Sequence, residues 1–510
     1  MKKNTKLLAL LCAAVLLFSG CSSGTAPESA ESTTAATTQS APDQTQAFET
    51  PASETQAPAA ERDVTVDFVV VGAGAGGLQA ATEAASLGKS VVLLEKTERA
   101  GGSSALCEGF FWSAGAKLNE ETGIGYDVQK MTDYLISCAA GNANDALLEN
   151  LCEVSGSVMD QMVEGGVRFL KDRSTSSGGP DASLTVFIGE QAGYGIVQDM
   201  VAIAEKQAVD IRYESKAVDL IYEDGKVKGV TVEDADGVYH IYADTTILAT
   251  GGFLRNEKLM NEYMPEWYYE QPFCGAGSTG DGHEMAMKLG AHMIGYSNGG
   301  VWSFDGQNGF HMEGGMAPCF CFFLTNIEGE RFCNEYMGTL KNDLIVQQSD
   351  RKAYCFMDSA SPYVSFMEEA VEKGLAHKAD TLEELCEIYG IPVDTFMNTV
   401  AGYNQAKSEG RDDPDFGVAN DYMVSMTEAP YYATYFDPSL TTNNLMGLAC
   451  DEYCRLLDAD NQPIPGLYGC GELIIGSVVG NGNYPSCGTC LASGIYGGAI
   501  AVRHACGQFQ

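Results

Sequence analysis

Positive charge is scarce in this chain: 30 Lys and Arg stand against 69 Asp and Glu, a formal net charge of −39 with a pI near 4.3. That imbalance excludes a nucleic-acid partner, because a phosphate backbone is held by clustered cations. Arginine is thinnest toward the C-terminus, where only Arg331, Arg351, Arg411, Arg455 and Arg503 follow Met260. There is no Cys-x-x-Cys-His sequence, so covalent c-type haem is excluded, and no metal site is expected. Of 17 cysteines, Cys12 and Cys21 lie near the start. The odd remainder argues for free thiols over an exported disulfide framework. The apolar run at 7–18 is too short to cross a bilayer. At 510 residues there is material for a large core and for more than one domain.

The most informative stretch is 67–102. Phe68-Val-Val-Val71 is a continuous β-branched and aromatic run, the pattern of a strand buried on both faces. Gly72, Gly74 and Gly77 follow at GxGxxG spacing, with Gly76 between them. An Ala-rich stretch over 78–87 reads as a helix, and 90–94 reads as a second strand ending in Glu95. Strand, glycine turn, helix, strand and an acid about 20 residues past the glycines make the layout of a dinucleotide site. Gly72 permits the tight turn, Gly74 lets the backbone approach a pyrophosphate, and Gly77 lets helix and strand close up. The helix N-terminus offers N–H groups to phosphate, and Glu95 accepts hydrogen bonds from a ribose diol. A lone GxGxxG is weak; with strand, helix and acid in place the signal is strong.

Three further stretches decide which dinucleotide. Lys96 opens a segment that ends in Gly101-Gly102-Ser103-Ser104, a turn able to touch a second phosphate. Thr246-Ile-Leu-Ala-Thr-Gly-Gly252 is an apolar strand whose turn holds Ala249, Thr250 and Gly251. Ile464-Pro-Gly-Leu-Tyr-Gly-Cys-Gly-Glu472 stands near the C-terminus. Together these resemble the flavoproteins related to fumarate reductase flavoprotein subunits, urocanate reductases and 3-ketosteroid dehydrogenases, over residues 63–507. The resemblance implies FAD and an α/β fold: a Rossmann-like FAD-binding domain of glutathione-reductase type with an inserted α+β capping domain. It also implies that Asp281 and Gly282, in Gly277-Ser-Thr-Gly-Asp-Gly282, lie at the flavin, and that Gly471 and Glu472 hold the ribityl or adenosine region. The Ser-Gly-Ala-Thr stretch that carries covalent FMN in some relatives is absent. Electrons must therefore come from a separate donor, quinone-linked or an FMN or haem redox protein.

Lys2, Lys3 and Lys6 before the apolar run make a signal peptide, and Leu17-Phe18-Ser19-Gly20-Cys21 resembles a bacterial lipobox, with Phe18 where Leu is commoner. The expectation is a signal over 1–20, a lipid on Cys21, and a Ser-, Thr-, Ala-, Gln- and Pro-rich disordered tether over 21–60. The enzyme is then held on the extracytoplasmic face of the cell membrane; an uncleaved anchor helix is the alternative. The FAD-binding domain is expected over 61–302 and 441–510, with the cap over 303–440. Helices are expected around 127–138, 145–166, 196–207, 283–289 and 393–407, and a meander of short strands over 209–247. Gly329-Glu-Arg-Phe-Cys-Asn-Glu335 matches the Gly-x-Arg-Phe-x-Asn-Glu strand and turn of the family's cap.

The chemistry is expected where cap and flavin meet. Val479-Gly-Asn-Gly-Asn-Tyr-Pro-Ser-Cys-Gly-Thr489 precedes a Gly- and Ala-rich helix running to about residue 504. The N–H groups from Cys487 through Gly488, Thr489 and Cys490 are expected to face the flavin and stabilise its reduced anion. Cys487-Gly-Thr-Cys490 is formally CxxC but reads as small packing residues. Fumarate-type enzymes place an arginine in this turn, histidines in the strand that re-enters the FAD domain, and another arginine in the cap. Here the turn holds Tyr484, the strand reads Thr441-Thr-Asn-Asn444, and Ser-Ala-Ser-Pro-Tyr363 follows Asp358. A dicarboxylate needs paired guanidinium groups, so fumarate and succinate are disfavoured.

Tyr484-Pro-x-x-Gly488 resembles instead the turn of 3-ketosteroid dehydrogenases and related enone reductases, where the tyrosine hydroxyl and the glycine N–H polarise a ketone oxygen. Hydride then reaches the β-carbon, and a second acid protonates the α-carbon. Tyr336 is the first candidate for that acid and His311 the second; Tyr296, Trp302 and Tyr363 are pocket candidates. The expected function is reduction of an activated C=C bond in a small molecule, an enone of the steroid 3-oxo-ene type. The alternatives are an unsaturated carboxylate of urocanate, cinnamate or fumarate type, and a solute-binding lipoprotein that keeps FAD without turnover.

Overall fold

The computed structural model describes residues 62–509 apart from 124–126, 140–142, 172–174, 178–183, 269–270, 296–299, 305–322, 336–339, 362–363, 443, 483 and 486–487. Phe68 to Val71 end strand β1 (Val64–Val71) in the middle of a sheet. β2 (Val91–Leu94) flanks it in parallel on one side and β3 (Gly237–Leu248) on the other, with Val70 opposite both Leu93 and Ile247. A strand covered on both faces has no solvent side to make polar, which is why the run is wholly apolar. Strand order across the sheet is Arg455–Leu457, Pro463–Gly469, β3, β1, β2, Asp210–Arg212, and the antiparallel pair Lys216–Glu223 and Lys226–Asp234 joins β3.

The parallel registers bring the motifs together. Val71 and Gly469 both lie opposite Leu248, and Leu94 lies opposite Val71. The turns that follow these strands, beginning at Gly72, Glu95, Ala249 and Cys470, therefore open at one edge of the sheet, where α/β folds bind ligands. Helix α1 (Ala75–Ser86) starts three residues before the expected 78. Low glycine helix propensity is overridden there by packing, because α1 crosses the last helix closely. That last helix is α3 (Thr489–Ala505), and α2 (Val128–Ala139) packs on the helix Asp145–Gly165. A Cβ on Gly76 would sit 2.8 Å from the Gly494 carbonyl oxygen of α3, and one on Gly498 2.4 Å from that of Gly76. The Gly and Ala content of both helices is thus a requirement of their crossing.

A second sheet is built on β4 (Tyr431–Thr441), which pairs with Gln271–Pro272, Gly300–Phe304, Ala353–Asp358 and His377–Ala379. Its strands thus begin before residue 303. Phe323, Phe356, Phe396 and Tyr403 form its core. Beside that core the Gly329–Glu335 motif is explained: Arg331 is ion-paired at 2.8 Å to Glu335 and at 2.6 Å to Asp413, with all three side chains almost wholly buried, and its guanidinium stacks on Tyr403. β4 ends at Thr441, and the chain rejoins the first sheet at Arg455–Leu457. The twelve described cysteines are all free thiols.

Candidate active site

The glycine turn has the shape that its sequence demands. Gly72 sits at φ +105°, and a Cβ there would lie 2.4 Å from the Ala249 carbonyl oxygen; no other residue fits. A Cβ on Gly77 would lie 1.9 Å from the Gly72 carbonyl oxygen, so this glycine closes helix onto strand. Gly74 is different. A Cβ on Gly74 would have the Ser104 Oγ as its nearest neighbour, at 3.7 Å, and one on Gly102 or Gly471 would meet no atom within 4 Å. With Gly251, whose nearest neighbour is at 3.8 Å, glycines from four separate stretches leave open backbone at the same sheet edge, as a cradle for a phosphate-bearing chain requires.

Around that cradle the polar side chains are held in place. The buried Glu95 carboxylate accepts from the Ala73 N–H at 3.0 Å and from the Thr97 N–H and hydroxyl at 2.9 and 2.8 Å. Its spare lone pairs are those a ribose diol would use. Ser104 Oγ accepts from the Ala75 N–H at 3.3 Å, Ser103 Oγ from the Gly275 N–H at 3.0 Å, and Gly101 N–H donates to the Ala73 carbonyl. The Thr250 hydroxyl is buried without a hydrogen-bond partner and lies against Gly282. Such an orphan calls for a ligand group or another explanation.

Lys96 and Asp281, both expected at the cofactor, also bind one another. They are turned on each other, Lys96 Nζ donating to Asp281 Oδ2 at 2.5 Å and to Thr279 Oγ1 at 2.5 Å, while Lys216 stands 3.3 Å from Asp281 Oδ1. Burial raises the Asp281 pKa, but the Lys96 hydrogen bond and charge, with Lys216 and Thr279, outweigh it and hold the carboxyl below its usual range. Opposite charges that meet in a half-buried corner satisfy one another. The pair ties Lys96 to the start of the 281–287 helix.

Glu472 is half-buried. Its Oε1 accepts from the Asn444 N–H at 3.0 Å. Burial pushes its carboxyl up to about 7, against the pull of the Asn444 and Gly252 N–H groups. Asn444, buried, accepts from the Phe253 N–H at 3.1 Å and donates to the Met446 carbonyl at 2.7 Å. It pins the chain leaving β4 to the turn after β3. In sequence Asn444 stands out only as a polar residue where fumarate-type enzymes carry histidine, and its place at a crossing between sheets is the signal that marks it.

Tyr484 lies against the first turn of α3. Its hydroxyl oxygen accepts from the Cys490 N–H at 2.8 Å. That amide, expected to face the flavin, is therefore turned to the tyrosine: the phenol oxygen reaches the helix end first and takes up a donor that the helix cannot satisfy. Gly488 is the N-cap at φ +87°, and a Cβ would lie 2.3 Å from the Phe110 carbonyl oxygen. Thr489 begins the helix and is buried. Tyr336, Cys487, His311, Tyr296 and Tyr363 lie outside the described residues, as do the side-chain details of Trp302.

Comparison with known proteins accounts for the open cradle. The FAD binding domain family matches residues 67–491. The fumarate reductase (cytochrome) of Shewanella frigidimarina is 30% identical over 424 residues, 80% of this chain and 72% of that protein. Urocanate reductase of Eggerthella lenta is 30% identical over 441 residues, 83% of this chain and 72% of that one. The 3-ketosteroid-Δ4-(5α)-dehydrogenase of Rhodococcus jostii RHA1 shares the fold, with a TM-score of 0.70 at 23% identity over 87% of this chain and 97% of that one. FAD fits the residues present: open glycine backbone for its pyrophosphate, Glu95 for its ribose, and the orphaned Thr250 hydroxyl beside Gly282. The chain belongs to the FAD binding domain family and is an FAD-dependent oxidoreductase acting on CH–CH groups.

Proposed function

We propose that the enzyme reduces a C=C bond conjugated to a neutral carbonyl, an enone of the steroid 3-oxo-ene type. We further propose that it works on the extracytoplasmic face of the cell membrane, tethered by a lipid on Cys21, and draws electrons from a separate redox partner. The Tyr484 turn carries the reading. An N–H bond accepted by the phenol oxygen polarises the O–H and makes it a better donor, which suits a ketone oxygen and makes no demand for an anion. The five arginines that follow Met260 are engaged elsewhere. Arg331 is locked in the cap core, Arg351 donates to the Glu266 carbonyl, and Arg411 pairs with Glu409. Arg455 pairs with Asp451, and Arg503 pairs with Glu83 at the far end of α3, about 20 Å from Thr489 at 1.5 Å per residue.

Bound FAD supplies the hydride. The Tyr484 hydroxyl and the Gly488 N–H hold the substrate's carbonyl oxygen, drawing electron density from the conjugated C=C so that its β-carbon accepts hydride. An acid, for which Tyr336 is the candidate, returns a proton to the α-carbon, and the two transfers together saturate the bond.

The test uses the full chain loaded with FAD and reduced by dithionite without oxygen. Its reoxidation is followed with enones, acrylates, urocanate and fumarate. Reoxidation by an enone, slowed about 100- to 1,000-fold in Tyr484→Phe as for loss of an oxyanion donor, is the expected result. Reoxidation by fumarate or urocanate alone overturns the enone assignment, and binding of FAD with no acceptor reduced by any of the panel favours a non-catalytic role. For the tether, Cys21→Ala should release the protein from the membrane fraction.

A further inference from the structure

The Tyr484 turn is gripped from a second side, by a helix that lies some 350 residues earlier in the chain. Tyr134, on α2, donates its hydroxyl to the Pro485 carbonyl at 2.7 Å, and Pro485 is buried. One turn further along α2, Cys138 and Ala139 press on the same loop: a Cβ on Gly482 would stand 1.9 Å from the Cys138 carbonyl oxygen and 2.5 Å from the Ala139 carbonyl carbon. Tyr134 and Tyr484 pack on the same hydrophobic core. On the far side, the Cys490 N–H of α3 holds the Tyr484 hydroxyl at 2.8 Å. Among the described residues of this turn, Pro485 is thus hydrogen-bonded to α2 and Tyr484 to α3.

We propose that Tyr134 is a positioning residue: by holding the Pro485 carbonyl it sets the Tyr484 hydroxyl in register with the first turn of α3. Pro485 has no N–H and a fixed φ, so its carbonyl is the one backbone group through which that residue can be steered by a hydrogen bond. A buried carbonyl stripped of its donor seeks another partner, and the loop shifts with it. The neighbouring tyrosine hydroxyl must then leave the Cys490 amide, since both sit on one short turn. The catalytic part of the proposal rests on the role given to Tyr484 above; the structural part does not.

The test is Tyr134→Phe in the full chain with FAD bound, which keeps the ring and removes only the hydroxyl. Native flavin absorbance and an unchanged melting temperature confirm the fold. The first readout is amide hydrogen exchange over residues 484–492, where the Cys490 amide should exchange at least tenfold faster while the rest of α3 keeps its protection. Gly482→Ala, which pushes the loop off α2 and leaves Tyr134 in place, should do the same. Unchanged exchange in Tyr134→Phe overturns the proposal, whatever the variant does to the reaction, and change in Gly482→Ala alone assigns the clamp to backbone packing. The second readout is kinetic. A roughly tenfold fall in kcat with KM within about twofold is expected, and it should vanish in a Tyr484→Phe background, because coupled residues do not add. Additive losses overturn the link to Tyr484. If Tyr484→Phe is itself harmless, the enone reading fails, while the exchange result still decides the role of Tyr134.

Discussion

Replacing Glu472 by glutamine isolates a charge that the fold holds at a cost. The carboxyl is pushed from an ordinary value near 4.5 up to about 7, chiefly by burial, and the Asn444 and Gly252 N–H groups only partly oppose the shift. A raised folded pKa means that the native protein binds the proton more tightly than the unfolded chain. Its contribution is therefore fully present below about pH 4.5, shrinks as pH rises, and is lost above about 7. At about 1.4 kcal/mol per unit, the flavin-free protein should lose up to about 3 kcal/mol of stability from this group across that window. Glutamine keeps an oxygen for the Asn444 N–H and cannot ionise. Denaturant unfolding of flavin-free protein, wild type and Glu472→Gln, from pH 5 to 8 gives the difference directly. The variant should gain on the wild type by about 1.4 kcal/mol per pH unit up to 7 and no further beyond it. With FAD bound, hydroxyl donors reaching the carboxylate should flatten that slope. A difference that stays level from pH 5 to 8 without FAD would refute the reasoning.

Two further perturbations test the frame around the site. His283 is buried with neither ring nitrogen hydrogen-bonded, and burial pulls its pKa down to about 3. A depressed folded value destabilises the protein as pH falls below about 6.5, so His283→Leu should be more stable than wild type by about 2 kcal/mol at pH 5, relative to their difference at pH 7.5, in thermal melts; equal pH profiles would contradict this. Asp413→Asn removes one of two carboxylates from a fully buried arginine and should cost about 3 kcal/mol. Limited proteolysis should show the cut sites moving into residues 323–436, and an unchanged denaturant midpoint would mean that Glu335 alone suffices.

The nucleotide half of the site was legible because its requirements are local. A positive φ at Gly72, a close approach at Gly77 and an acid at the end of the next strand each leave a residue type at a fixed spacing. The re-entrant strands were legible for the same reason: apolar runs ending in glycine, laid parallel to β1. What could not be seen was pairing across the chain. Lys96 and Asp281 each look like ligands when read alone, since a charged residue beside a glycine motif has no visible partner in sequence. Only the fold shows that they neutralise each other over 185 positions. Asn444 was hidden in the same way, because its three hydrogen bonds run to Phe253, Met446 and Glu472.

The Cys490 amide shows how such hidden pairing changes chemistry. Taken alone, a helix N-terminus offers its first amides to whatever anion lies ahead, and the sequence assigns them all to the flavin. Once the hydroxyl of a tyrosine six residues earlier lies against the helix end, its oxygen takes up one of them. In the mechanism proposed above, the helix end would act on the reaction through a phenol, whose donor strength follows the amide it accepts from. A polarised hydroxyl favours a neutral acceptor over a carboxylate that would require guanidinium groups. On the enone reading proposed above, the preference of this turn would rest on the hydrogen bond between Tyr484 and Cys490, and on the bond that Tyr134 of α2 gives to the Pro485 carbonyl beside it.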